Sequence, residues 1–273
     1  MDISSQLEQR IDVRKTINTL QSDGFCFFEA LFDHDTVKGL NHDFQNAFDE
    51  LPPGVFVAPH HPPGRIAFIT TSKCSPVSLP TIFSVFMSPQ FKAVSETILT
   101  KGSIFNDKIT LTHEMKAMPI TDIHFDTQRS LKFLIYLLDT DASNGAFRYA
   151  KGSHIENKAY RKKFLSQGGY LQELQNVPSK TESDTIDLEH IVGPAGSMVI
   201  FDTDGWHSAG RLENDTKERR IIRSRSIFAG QPPLLRPKRY SPKWFRRAYK
   251  ICRYGRPMKI PDRGRTGLTT RRK

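Results

Sequence analysis

The sequence predicts a mainly β fold with flanking α-helices, arranged around a jelly-roll core. Within residues 1–230, helical patterns come first, over about the first hundred residues, and from about Ile104 onward apolar residues alternate with a period of two, as strands require. Helices followed by many short strands argue against a parallel βαβ sheet, in which the two element types alternate. A sandwich or barrel with helices on one side fits better, and the double-sheet jelly roll is a common version of it.

The N-terminal part predicts several helices. Residues 5–22 predict one helix, because four apolar side chains fall on roughly one face: Leu7, Ile11, Ile17 and Leu20. A short apolar strand (GFCFFEALF) follows, and then a second amphipathic helix for which Asp33 or Asp35 is a plausible N-cap. The Pro-rich stretch PPGVFVAPHHPPGR predicts a loop, and residues near 81–100 predict a further helical segment.

The remaining elements are predicted as strands of roughly 5–10 residues. They are KITLTHEMKAM, SLKFLIYLLD, GAFRYAKGS, SMVIFDTD and RRIIRSRSIF. Asn144-Gly145 between two of them is typical of a tight hairpin turn. No repeat is evident, so we expect one domain over residues 1–230 and a basic extension over residues 231–273.

The charge of the chain is concentrated in that extension. The net charge is +11, but residues 231–273 hold 15 Lys and Arg and one acid, Asp262, so the other 230 residues carry a net −3. A nearly neutral body argues against a domain built to grip a phosphate backbone. Three scattered cysteines, a polar N-terminus and the absence of an 18-residue apolar run predict a cytoplasmic protein without a transmembrane segment.

A metal site is suggested by the stretch DIHFD. Two residues apart on a strand, His124 and Asp126 would present an imidazole and a carboxylate on the same face. Alone, this pair is better explained as two polar side chains at a strand end. A jelly roll brings distant strand ends together, however, and His207 follows an apolar strand and a Gly-containing turn. Two His and one carboxylate, with half the coordination sphere open, form the facial triad of non-haem Fe(II) oxygenases.

The open coordination positions would take a chelating 2-oxo acid and O2, and the far carboxylate of such an acid needs a cation deep in the barrel. Arginine suits this because its planar fork binds a carboxylate through two hydrogen bonds. On the strand after His207, alternation puts Arg220 and Ser224 on one face and Arg219, Arg223 and Arg225 on the other. Because a barrel interior tolerates one Arg better than three, we predict Arg220 as the clamp, Ser224 as a helper and Arg219 as the fallback.

The chain resembles the phytanoyl-CoA dioxygenase-like (PhyH-like) family of Fe(II)/2-oxoglutarate-dependent oxygenases. The likeness runs in order from about residue 24 to 228, through GFCFFEALFDHDTVKGL, HFD, SLKFLIYLLDTDASNGAFRYAKGSH, GSMVIFDTDGWHSAG and NDTKERRII. The most specific piece is NGAFRYAKGSH, in which Lys151 replaces the proline of the family signature.

The resemblance implies a double-stranded β-helix (cupin-like) core, with Fe(II), 2-oxoglutarate and O2 as cofactor and co-substrates. Carried over by position, it implies His124, Asp126 and His207 as catalytic iron ligands and Arg220 as the 2-oxoglutarate clamp. Two neighbours are open to two interpretations. Lys116 either holds the near carboxylate of the co-substrate or faces solvent, and Tyr136 either hydrogen-bonds 2-oxoglutarate or packs in the core.

The implied activity is hydroxylation of an unactivated C–H bond of a small molecule, with release of succinate and CO2. Related halogenases replace the ligand carboxylate with a small residue, so Asp126 indicates hydroxylation or a related oxidation such as desaturation. The alternatives are a hydroxylase of nucleic acid or protein that uses the basic tail, and a jelly-roll binding protein without catalysis.

Within the tail, SPKWFRRAYKICRYGR predicts a basic amphipathic helix. It is interpreted first as a helix packed on the barrel, second as a contact with an anionic substrate or membrane surface, and last as a contact with nucleic acid.

Overall fold

Two antiparallel sheets form the centre of the computed structural model, which describes residues 3–60, 64–100, 103–115, 123–167, 186–213 and 217–228. The strands are β1 (Phe25–Phe28), β2 (Val55–Pro59), β3 (Arg65–Thr70), β4 (Ile104–Glu114), β5 (Ser130–Tyr136), β6 (Phe147–Tyr149), β7 (Glu189–Ile191), β8 (Met198–Asp202), β9 (His207–Ala209) and β10 (Arg219–Ile227). The helices are α1 (Ile3–Arg10), α2 (Val13–Ser22), α3 (His34–Asp49), α4 (Pro80–Phe86), α5 (Pro89–Leu99) and α6 (Ser153–Ser166).

The larger sheet has the strand order β1-β8-β5-β10-β4-β3-β2, and the smaller one has the order β7-β6-β9. Neighbouring strands pair antiparallel throughout, as in the pairs of β10 with β4 and β5. This two-sheet arrangement with helices confirms the predicted jelly-roll fold class.

The larger sheet buries its two faces against different partners. One face packs against the N-terminal helices in a core that includes Leu40, Phe91, Phe133 and Ile222. The other face turns towards the smaller sheet, where a second, mainly aromatic cluster lies. Its buried members are Leu134, Tyr136, Phe147, Tyr149, Ile191, Val199, Phe201 and Ile221. The space between the two sheets is therefore where a site can form.

Two predicted helices are each divided in two. The segment 5–22 breaks at Asp12, whose side chain accepts a hydrogen bond (2.9 Å) from the Lys15 amide and starts α2. The segment near 81–100 breaks at Ser88, which caps α5 ahead of Pro89. Both breaks follow from local capping chemistry, which a smooth apolar periodicity hides.

The Pro-rich stretch predicted as a loop contains a hairpin. Strand β2 pairs with β3 from Val55↔Ile69 to Pro59↔Arg65 and forms the edge of the larger sheet. Proline is tolerated at such an edge because no ladder partner is lost on the open side. Pro59 therefore lies at the end of strand β2, and the prediction of a loop throughout was wrong.

Helix α6 follows β6 directly and was not predicted, because its sequence SHIENKAYRKKFLS lacks a clear apolar stripe. Its buried residues are His154, Asn157 and Arg161. The basic extension 231–273 lies outside the described residues, so its predicted helix and its boundary stay predictions. No helix in the described part of the chain is long and apolar enough to cross a membrane, and the cytoplasmic location stays a prediction.

Candidate active site

The backbone brings the two predicted histidine ligands face to face. His124 and His207 exchange both backbone hydrogen bonds, His124 N–H to the His207 carbonyl at 3.1 Å and His207 N–H to the His124 carbonyl at 2.9 Å. The amide of Asp126 donates to the Thr203 carbonyl at 2.9 Å. Main-chain hydrogen bonds therefore join two segments that lie 83 residues apart in the chain.

The three side chains converge on one point between the sheets. One carboxylate oxygen, Asp126 Oδ1, lies 3.8 Å from His124 Nε2 and 3.7 Å from His207 Nε2. One ligand atom from each residue lies within 4.8 Å of the other two, which is close enough for a single ion to contact all three. Two imidazoles and one carboxylate on the same side of an ion suit Fe(II) and leave positions for other ligands.

The protonation state of His207 suits metal binding. Its Nδ1 lies 2.8 Å from the Gly205 carbonyl, an arrangement in which Nδ1–H donates and Nε2 keeps its lone pair for a metal. Burial lowers the pKa of His207 to about 3, so the imidazole is neutral at physiological pH. The buried ring packs against Phe201 and Phe147, with centroids 5.2 and 6.0 Å away, which fixes its orientation.

Asp126 has a cationic partner that the sequence reasoning did not assign to the site. Lys132 Nζ lies 2.6 Å from Asp126 Oδ2, the carboxylate oxygen that the histidines do not face. Burial alone would raise the pKa of Asp126, but the charges of Lys132 and of the two histidines lower it. Burial likewise lowers the pKa of Lys132, and Asp126 offsets part of that effect. Asp126 is therefore ionised and held with one oxygen turned to the metal position.

A cavity of about 180 Å³ opens beside these ligands. It is lined by His60, Ile66, Thr112, Glu114, His124, Lys132, Leu134, Tyr136, Gly145, Phe147, Phe201, His207, Ser208, Ala209, Arg219, Ile221 and Arg223. Apolar and aromatic walls with a few cationic groups are typical of a pocket for a small anionic ligand.

The predicted clamp Arg220 and helper Ser224 lie on the face of β10 that does not line the cavity. The guanidinium Nε of Arg220 lies 2.5 Å from Glu218 Oε1, and the side chain is 30% exposed. Ser224 is buried on the helix-covered face with Ile222, away from the cavity. The small serines of this strand fit close packing against α5, where Ser226 Oγ lies 3.0 Å from Ser95 Oγ. Helix packing therefore explains the small side chains on this face of β10.

The opposite face of β10 turns Arg219 and Arg223 towards the cavity. Arg219 Nε donates to Glu114 Oε2, and its Nη1 donates to the Gly145 carbonyl at 2.6 Å. Burial alone would raise the pKa of Glu114, but a hydrogen bond with His60 and the charge of Arg219 lower it to about 2. Arg219 is thus held by a buried carboxylate.

Arg223 is placed differently. Among the described residues none forms a hydrogen bond or ion pair with its guanidinium, which is charged at any physiological pH. Burial lowers the pKa of Arg223, and Asp126 partly offsets this. The side chain is half-buried, and a cation there without a hydrogen-bonding partner among the described residues is suited to an anionic ligand.

The two other predicted neighbours, and Trp206 beside the ligand His207, have separate outcomes. Tyr136 lines the cavity with its ring, but its hydroxyl donates to the Ile191 carbonyl (2.7 Å) and accepts from the Phe147 amide (3.1 Å), which agrees with the core interpretation. Trp206 packs edge-on against Phe125 with centroids 5.1 Å apart and is not part of the cavity lining. Lys116 lies outside the described residues, so its role stays a prediction.

His154, the histidine of the family-like KGSH motif, is a buried structural residue. Its Nε2 lies 3.2 Å from the Gln21 carbonyl, and burial lowers its pKa.

Below about pH 6.5 the unfolded chain binds a proton at His154 that the folded protein excludes, so stability is lost as pH falls. We expect the metal-free protein to lose up to about 1.4 kcal/mol per pH unit from this group. Urea unfolding between pH 7.5 and 5 should show a shallower loss in His154→Gln; an unchanged slope would contradict the assignment.

The comparison with protein families decides what kind of chain this is. The family model of phytanoyl-CoA dioxygenase (PhyH) matches residues 20–221. The chain belongs to the PhyH family. The resemblance stated from the motifs is therefore confirmed, and with it a 2-oxoglutarate-dependent non-haem iron enzyme, since members of the PhyH family use Fe(II), 2-oxoglutarate and O2.

Solved structures with the same fold are distant in sequence. The epimerase SnoN from nogalamycin biosynthesis is 13% identical, with a TM-score of 0.58 over 80% of this chain and 83% of SnoN. HygX from Streptomyces hygroscopicus, crystallised with nickel, 2-oxoglutarate and hygromycin B, is 13% identical, with a TM-score of 0.55 over 80% and 88% of the two chains. The carbocyclase SnoK is 11% identical, with a TM-score of 0.52 over 79% and 84%. No curated protein matches the sequence significantly.

Proposed function

We propose that this PhyH-family protein hydroxylates an unactivated C–H bond of a small molecule, with conversion of 2-oxoglutarate to succinate and CO2. The observation that carries the proposal is the convergence of His124, Asp126 and His207 beside a cationic cavity. HygX and SnoN share the fold and were crystallised with 2-oxoglutarate and a metal, which supports the same use of this site.

In this proposal the metal is held by His124 Nε2, Asp126 Oδ1 and His207 Nε2. Iron(II), together with 2-oxoglutarate and O2, supplies the oxidising power that the protein side chains lack. The chain fixes the ligands: Gly205 sets the His207 tautomer, and Lys132 holds the second oxygen of Asp126. The aromatic wall of Phe147 and Phe201 keeps bulk water from one side of the site.

We assign the far carboxylate of 2-oxoglutarate to the inward face of β10. Arg219 and Arg223 both line the cavity, whereas Arg220 does not. Arg223 offers an unpaired fork, and Arg219 is fixed in direction by Glu114 and the Gly145 carbonyl. A planar guanidinium whose position is already fixed binds a carboxylate with little further ordering cost.

Hydroxylation is favoured over the epimerisation performed by SnoN. Epimerisation at a carbon radical needs a hydrogen-atom donor such as a phenol or thiol facing the substrate. Among the described residues that line the cavity there is no cysteine, and the hydroxyl of the only tyrosine, Tyr136, is engaged by Ile191 and Phe147. Asp126 fills the coordination position that a halogenase leaves for chloride, so we expect chloride-independent oxidation.

The substrate is proposed to be a small molecule, because the cavity lies directly beside the three ligands. An anionic group on it stays a prediction, since Lys132 is paired with Asp126 and the two arginines are assigned to 2-oxoglutarate. Contact of the basic extension with an anionic partner stays a prediction. The binding-protein alternative is disfavoured because the three metal ligands are present together with an open cavity beside them.

The proposal is tested by succinate release. Purified protein with Fe(II), ascorbate, O2 and 2-oxoglutarate should form succinate slowly without substrate, and panels of small carboxylates, phosphonates and acyl thioesters should identify compounds that accelerate it. With an accelerating compound and 18O2, the product should gain one labelled oxygen atom, with or without chloride. Inverted stereochemistry without oxygen incorporation would contradict hydroxylation, and chlorinated product would contradict the role given to Asp126.

A further inference from the structure

Helix α6 presents three polar side chains, four residues apart, to the turn that precedes His207. Ser153 Oγ accepts a hydrogen bond from the Trp206 amide at 2.9 Å. Asn157 Nδ2 donates to the Asp204 carbonyl at 2.7 Å. Side chains at this spacing lie on one face of a helix, so α6 holds the turn along its length.

The third side chain, Arg161, also reaches the segment of the other two metal ligands. Its Nε and Nη2 lie 2.7 and 2.6 Å from Asp204 Oδ1. Its Nη2 donates to the Asp126 carbonyl, and its Nη1 donates to the Thr127 carbonyl. The side chain is only 8% exposed, so the guanidinium sits inside the protein between the two ligand-bearing segments.

We infer that Arg161 is a positioning residue for the metal centre, fixing the distance between the segment of His124 and Asp126 and the turn before His207. This rests on the proposed function, since it concerns the same three ligands. Arg161 touches neither metal nor substrate; it acts through the backbone of Asp126 and the side chain of Asp204. Groups that orient metal ligands commonly change metal affinity by about 10–100-fold when removed.

Only arginine meets the geometry. The guanidinium bonds a carboxylate on one edge and two successive carbonyl groups on another, which requires a planar group with several N–H donors in fixed directions. Arg161→Lys keeps the charge beside Asp204 but replaces the planar fork of N–H donors with a single ammonium group. Arg161→Lys therefore removes the link between the segments while leaving the buried carboxylate with a cation.

Arg129 provides a matched control. Its side chain is 13% exposed, pairs with Asp202 (2.9 Å) and with the other oxygen of Asp204 (3.4 Å), and donates to the Ile98 carbonyl on α5. Arg129→Lys thus perturbs the same buried charge network. It does so from the side of α5 and not from the side of the metal ligands.

The test measures Co(II) binding by metal-free wild type, Arg161→Lys, Asn157→Ala, Arg129→Lys and His124→Ala, together with the visible absorption of bound Co(II) and thermal unfolding without metal. We expect Arg161→Lys to bind Co(II) about 10–100-fold more weakly, with an altered spectrum, and Asn157→Ala to show a smaller change in the same direction. Arg129→Lys should unfold at a lower temperature but bind Co(II) with wild-type affinity and spectrum.

Wild-type affinity and spectrum in folded Arg161→Lys would overturn the inference. If that variant does not fold, Asn157→Ala decides, and a Co(II) affinity no weaker than that of Arg129→Lys would overturn it. Equal Co(II) binding by wild type and His124→Ala would overturn the proposed metal site itself, which is a distinct result.

Discussion

Replacing His207 with alanine is expected to weaken Fe(II) or Co(II) binding by about 150-fold, because four-ligand zinc sites bind with roughly 10–16 kcal/mol, or about 3 kcal/mol per ligand. His207 is the most buried of the three ligands, its tautomer is fixed by Gly205, and it is neutral at physiological pH. Conversion of 2-oxoglutarate to succinate should be lost with the metal, and added iron should restore little of it.

The control for this prediction is His42→Ala. His42 is exposed on α3 and hydrogen-bonds Asn46 at 3.0 Å, so its loss removes an imidazole without touching the site. Metal affinity and succinate formation should then match the wild type. Substantial turnover in folded His207→Ala would show that the metal is held elsewhere.

The second large effect is expected on β10. Arg219→Leu and Arg223→Leu should each raise the 2-oxoglutarate concentration needed for half-maximal turnover by roughly 30–1000-fold, because losing one partner of a buried charge pair costs about 2–4 kcal/mol. Arg219→Leu carries a further cost, since it leaves Glu114 buried without its cation. The KM for 2-oxoglutarate should therefore change far more than the Co(II) affinity.

Arg220→Leu is the control variant for this prediction, because Arg220 lies on the face of β10 that does not line the cavity. It breaks a partly exposed pair with Glu218, which contributes little to stability. Its KM for 2-oxoglutarate should stay at the wild-type value. A large rise in KM in Arg220→Leu, with none in Arg219→Leu or Arg223→Leu, would restore the assignment predicted from the sequence.

The fold class and the three candidate ligands could be predicted from the sequence because both depend on local patterns. Alternation after Ile104 marks strands, and a jelly roll brings the ends of distant strands together, which led from His124 to His207. The structure brings the two strand ends together in this way, since His124 and His207 exchange both main-chain hydrogen bonds. Spacing alone could not show that Lys132 reaches the second oxygen of Asp126.

The direction of β10 could not be read from alternation, because both faces of this strand are largely buried. Ser224 is predicted as a helper to Arg220 in the interior, whereas it lies on the helix-covered face with Ser226. Arg219 is acceptable in the interior because Glu114, on the neighbouring strand, neutralises it. Which face of such a strand points into the interior depends on whether a neighbouring strand supplies the opposite charge. That pairing can be recognised only when the register of the two strands is known.

Helix α6 was not predicted from the sequence, because its burial also depends on polar partners elsewhere in the chain. Its buried residues are mostly polar, and Asn157 and Arg161 are buried because the Asp204 turn and the ligand segment satisfy them. A hydrophobic pattern cannot reveal such a face. The signal available in the sequence was the spacing of Ser153, Asn157 and Arg161 by four.

The measurement that tests the central claim most directly is an anaerobic titration of the Fe(II)-loaded protein with 2-oxoglutarate, followed by visible absorption. We expect a charge-transfer band that saturates with 2-oxoglutarate in the wild type and is missing in His124→Ala. No band in wild type that binds Fe(II), or an equal band in His124→Ala, would contradict the assignment of His124, Asp126 and His207 as the site of 2-oxoglutarate chemistry.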